Sequence, residues 1–219
     1  IAVETMYLLS LENAGTMLYE GVPADPAGTP INLASGWNWI GYVPQSSLGV
    51  SIALGGATLV ANDYIKSQTT AATFYDGYGF YPSFDMNPTS GFMLKVAEGG
   101  SFNYPSGFLA SFASEMFIDE DSYYRQYEFN GSMSISVNIA DVIIDENDVL
   151  YAYSDGELRG KTSPSIFPLT DEFVFTLVVH GHGNVDEKIN FELYDYESDK
   201  TYKIQNKIQF DFQKSLFFF

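Results

Sequence analysis

The sequence predicts an all-β protein with at most one short helix, built as two sandwich-like domains, the first carrying a repeated hairpin. Three observations support this. Short runs of β-branched and aromatic residues alternate with polar ones between Gly, Pro, Asn and Asp clusters, the period-2 pattern of half-buried strands. Tyr (16) and Phe (18) are abundant, a load that suits pleated surfaces. The chain also echoes itself: "YLLSLENAGTMLY" at 7–19 aligns without gaps on "FMLKVAEGGSFNY" at 92–104, an offset of 92 − 7 = 85. Identities fall at Leu9/Leu94, Gly15/Gly100 and Tyr19/Tyr104. Each copy reads as strand, Gly-containing turn, strand. A unit bounded by the same hairpin twice is the mark of an array whose neighbours share surface, unless the likeness of the two hairpins is chance.

Bulk composition narrows the function. A chain of 219 residues, 46% apolar and 17% charged, is ordered and long enough for one large or two modest cores. The net charge of −18 repels phosphate backbones and anionic lipid, which argues against nucleic-acid and membrane-surface partners. Without cysteine there is neither disulfide nor thiol chemistry. No apolar run approaches the roughly 20 residues that cross a bilayer, so membrane insertion is not expected. The opening "IAVETMYLL" lacks an initiator Met and a leader, and reads as a mature or excised piece of something longer.

Along the chain, "INLASGWNWIG" reads first as one extended strand. Ile31, Leu33, Trp37 and Trp39 then share a face, and an aliphatic-aliphatic-Trp-Trp face is expected to be core. "SSLGVSIALGG" is the one helix candidate, with Ser46 or Ser47 as cap and Leu48, Ile52 and Leu54 inward. "FYDGYGFYP" at 74–82 sets Tyr75, Tyr78, Phe80 and Tyr81 around two glycines on a loop. These rings either stack on a ligand such as a sugar or cover their own hairpin. After a domain over 1–105, the stretch 106–122 reads as a linker with an acidic end. From 123 to 219 the alternation becomes regular and predicts an antiparallel sandwich. The closing "IQFDFQKSLFFF" sets Ile208, Phe210 and Phe212 on one face, and an uncovered edge of that kind is expected to pair with a sheet of this chain or of a neighbour.

Motifs for chemistry are few. "DGELRGKT" places Asp155 where a phosphate loop needs its first Gly, and Pro164 where it needs a helix, so it is rejected. His180 and His182 in "HGHG" read as an exposed turn, since no third His and no Cys completes a metal set. The acidic runs at 119–122 and 145–149 read as solvated turns or as a loop calcium site. In the second run Asp145, Asn147 and Asp148 would be the oxygen ligands, and Ca²⁺ is the one cofactor considered. Asn130 heads an "NGS" sequon, meaningful only in a eukaryotic source. With 28 acidic residues a carboxylate pair always exists somewhere, so none signals glycoside hydrolysis, and no nucleophile elbow occurs.

"INLASGWNWIGYVPQ", "NDYIKSQTTAATFYDGYGFYPSFD" and "SGFMLKVAEGGSFNYP" resemble a GWNWIGY-type module that recurs in large secreted multidomain surface proteins of Bacteroidetes-type bacteria. The resemblance covers roughly 5–105, with Phe92 in a place those modules give to Tyr. "DVLYAYSDGELRGKTSP" and "KINFELYDYESDKTYKI" are similar to a companion β-sandwich of the same proteins, here with Leu158 for its Cys and Tyr151 for its Gly. The resemblance implies an extracellular setting, no enzymatic activity, and a role in surface display, adhesion or fibre building. The expectation is therefore a non-enzymatic adhesive or structural module contacting like units; the alternative is a carbohydrate-binding pair using the aromatic loop.

Overall fold

The structure, a computed structural model, describes residues 2–9, 12, 21–106, 122–183, 187–209 and 216–218; for 205–209 and 216–218 it describes the backbone alone. It is nearly all-β, with one short helix. The chain divides into two compact units, Ile1–Glu115 and Met116–Phe219.

Unit 1 runs β1 (Ile31–Leu33), β2 (Gly36–Gly41), β3 (Leu48–Gly49), α1 (Val50–Ala53), β4 (Tyr64–Lys66), β5 (Ala71–Tyr75), β6 (Gly79–Tyr81), β7 (Asp85–Met86), β8 (Gly91–Val96) and β9 (Gly100–Phe102). Its centre is a five-stranded antiparallel sheet in the order β2-β8-β4-β5-β6. Alternation puts Phe92, Leu94 and Val96 of β8 inward with Ile40, Ile65, Ala72 and Phe80. The ribbons β1-β9 and β3-β7, with α1, cover that face through Ile31, Val50, Leu54, Met86 and Phe102. Tyr42 and Tyr104 meet edge to face at 5.3 Å, and their hydroxyls donate to Ser46 O (2.7 Å) and Gly41 O (3.0 Å). Burial pushes both phenols far above the ordinary tyrosine range.

Three expectations change here. The Trp strand is two strands, because Gly36 at φ +96° re-aims the chain between β1, which pairs with β9, and β2, which pairs with β8. The alternation restarts with Asn38 and Ile40 inward and both tryptophans outward, so Trp37 and Trp39 are not core. The helix starts late, since Leu48 and Gly49 are taken by pairing with Met86 and Asp85. It is capped by Gly49 without a side-chain bond, buries Val50 and Ala53, and leaves Ile52 exposed. Most of the first hairpin copy, 7–19, lies outside the described residues, and the second, 92–104, is a corner rather than a hairpin, with β8 and β9 paired to different partners.

Unit 2 is a sandwich of two four-stranded sheets. After a 3-10 turn (Ser122–Gln126) come β10 (Phe129–Ile135), β11 (Val149–Ser154), β12 (Glu157–Thr162), β13 (Ser165–Phe167), β14 (Glu172–Gly181), β15 (Lys188–Asp195), β16 (Lys200–Gln209) and β17 (Leu216–Phe218). The sheets are ordered β13-β14-β10-β17 and β12-β11-β15-β16. Met133, Phe175, Leu177 and Val179 of the first face Leu150, Ala152, Ile189, Phe191 and Leu193 of the second. The rejected phosphate loop is a two-residue hairpin, with Asp155 (φ 50°) and Gly156 (φ 83°) in the left-handed conformation that such turns require. The last strand does pair within the chain: β17 lies parallel to β10 in the register Met133↔Leu216 to Ile135↔Phe218, while Phe210 and Phe212 fall outside the described residues.

Candidate binding face

The outer face of the unit 1 sheet gathers the side chains that stand out chemically. Register sets Trp37, Lys95 and Tyr64 in one cross-strand row and Trp39, Met93 and Lys66 in the next. Trp37 and Trp39 keep 42% and 45% of their surface exposed, and Lys95 is exposed between them and β4. The Trp37 ring rests on the Tyr64 ring edge to face at 6.0 Å, with Lys66 Nζ 5.7 Å from its centroid. That distance is within cation–π range. Burial holds the Lys66 ammonium below the usual lysine range.

The next row along β2 and β8 is Gly41 and Gly91, which pair directly. There the chain at 3–6 crosses: Gly41 N donates to Glu4 O (3.0 Å), and a Cβ on Gly41 or Gly91 would strike the Val3 carbonyl or the Met6 side chain. At the other end Asn38 ties off β2, accepting from Ala34 N (2.8 Å) and donating to Ala34 O (2.8 Å) and Gly36 O (3.1 Å). The result is a bounded face that carries both tryptophans with Lys66 and Lys95, the only basic residues between positions 1 and 115. The sequence missed this face by phasing the tryptophans inward, although the scarcity of lysine in the first half was a usable signal.

The loop candidates are split between the two faces of the sheet. Phe80 is buried, packs on Phe74 at 5.4 Å, and lines a cleft of about 140 Å³ with Ser51 and Leu54 of the core side. Tyr81 is buried too, on the same sheet face as half-buried Tyr75. Tyr78 alone of the four is exposed, on the turn closed by Tyr78 N donating to Tyr75 O (3.1 Å).

In unit 2 the carboxylates of Asp145 and Asp148, two of the three proposed cation ligands, accept from backbone N–H groups. Asp148 is fully buried, accepting from Asp145 N (3.0 Å) and Tyr196 N (3.0 Å), and Asp145 accepts from Asn147 N (2.7 Å). Among the described residues no group of three His, Asp or Glu is placed to hold a metal, and the run at 119–121 lies outside them. Asn130 is no turn residue: it sits half-buried in β10 opposite His180.

His180 is likewise no exposed turn residue. β14 runs on to Gly181, so His180 is buried, its Nδ1 3.0 Å from Arg159 O, beside the rings of Tyr124 and Tyr127. Arg159, also buried, stacks on Tyr127 at 4.4 Å and reaches Glu157 (3.5 Å) and Glu187 (3.6 Å). This cluster packs the 122–127 segment against β12 and β14, with Arg159 Nε and Nη1 and Glu187 Oε2 buried without a hydrogen bond. His182 remains exposed.

Compared with protein-family models, with curated proteins and with solved structures, the chain finds no match in any of the three. No helix of the described residues is long and apolar enough to cross a membrane.

Proposed function

We propose that this chain is a non-enzymatic adhesive part of an extracellular surface protein and that it works by contact through the Trp37–Trp39 face. The observation that carries this is that the only two tryptophans of 219 residues stand two positions apart and nearly half exposed on one sheet face. Large aromatic surface left in water forgoes burial worth about 25 cal/mol per Å², and such patches mark interaction sites. The acidic, cysteine-free composition and the GWNWIGY-type resemblance support the extracellular setting and a place among like modules. A glycan site on the 74–82 loop has less support, because Phe80 turns into the core and Tyr81, on the outer face, is buried.

The test is retention of the whole chain on two surfaces, one coated with the protein itself and one with mixed polysaccharides. Wild type should be held by at least one, and the Trp37→Ala/Trp39→Ala variant released. Equal retention of both proteins, or retention of neither, refutes the proposal.

A further inference from the structure

We propose that the Trp37–Trp39 face takes a polysaccharide chain of mostly neutral sugars bearing acidic groups, uronate or sulfate, at intervals. This rests on the adhesive reading above and names its ligand. The tryptophans are two positions apart on β2, so their Cα atoms lie about 7 Å apart along the strand, a spacing that neighbouring sugar rings of one chain can bridge. Sugar rings present flat C–H faces, and indole offers the matching apolar plane with a polar handle. The cations supply the second half of the match. In a protein of net charge −18, the only two basic residues of the first 115 positions lie on this face, Lys95 beside Trp37 in one row and Lys66 in the row of Trp39. The exposed Lys95 ammonium suits an acidic group set at intervals along such a chain, while the overall charge turns away dense polyanions.

A peptide partner fits less well. Strand addition needs an open edge, and β2 has its start tied by Asn38 and its Gly41 N–H given to Glu4 O. Docking of a helix needs a groove, and this face is a sheet with standing rings.

The experiment immobilises a panel of polysaccharides, pairing each uronate-bearing polymer with its carboxyl-reduced form and each sulfated one with its desulfated form. The whole wild-type chain should bind at least one acidic polymer and bind its neutralised twin roughly tenfold more weakly, the loss of one charge-assisted contact. Which pair responds tells uronate from sulfate. Lys95→Glu, at an exposed position that leaves folding intact, should reproduce that loss, and Trp39→Ala should abolish binding. Equal binding to acidic and neutral twins overturns the acidic ligand and leaves adhesion standing. No glycan binding, with Trp-dependent retention on the protein-coated surface, overturns the sugar in favour of a protein partner. No retention anywhere refutes both.

Discussion

At the scale of single residues, the side chains that looked like chemistry mostly hold the backbone. Asp148 is the clearest case. Its position in "DENDV" fits a calcium loop, but its carboxylate is fully buried and accepts two backbone N–H groups, one from Asp145 and one from Tyr196, 48 positions away. Asp63 does the same in unit 1, accepting from Val60 N (2.9 Å) and Ala97 N (2.8 Å). Sequence cannot tell these from ligands, because the donors they meet are backbone groups brought close by folding. Asp148→Ala should cost about 3 kcal/mol by urea denaturation, since it strands two donors that the carboxylate satisfied. Asp148→Asn, which keeps one acceptor, should fall between alanine and wild type. A loss under half a kilocalorie for alanine, or a wild-type melting point that climbs on adding calcium, would return this residue to the cation reading.

At the scale of elements, strand existence was legible and strand phase was not. The runs at 149–154 and 188–195 alternate so regularly that burial follows the sequence, as in Leu150, Ala152 and Ser154 of β11, whereas β12 and β14 are strands whose burial does not alternate throughout. The Trp strand failed because alternation carries a face forward only while the strand continues, and a glycine at positive φ with a change of partner resets it. The buried Arg159–His180 cluster was illegible for a related reason: it forms where β12 of one sheet meets β14 of the other, a contact that local pattern does not encode. Gly160 permits that approach, as a Cβ there would collide with the Val178 carbonyl. Gly160→Ala should therefore destabilise unit 2 by roughly 1–3 kcal/mol through overpacking. It should also raise the hydrogen-exchange rate of β12 amides ahead of those in β15. Wild-type stability in this variant would mean that β12 and β14 are free to move apart.

At the scale of the whole chain, two cores sit in two compact units, and the tryptophans belong to one of them. Tryptophan emission therefore reports unit 1 alone, whereas far-UV circular dichroism reports strands of both. This separates two questions that a single melting curve would merge. If the units unfold independently, Asp148→Ala shifts only the part of the dichroism transition that belongs to unit 2, and the tryptophan transition stays in place. That is the expected result, because each unit closes its own hydrophobic cluster and Asp148 bonds only within unit 2. Movement of the tryptophan transition by the full amount would mean one cooperative block instead. The distinction bears on adhesion: a binding face in a unit that melts alone can be lost while the sandwich survives. Retention on the ligand surface should then disappear with the tryptophan transition, at whatever denaturant concentration that falls, and be indifferent to Asp148→Ala.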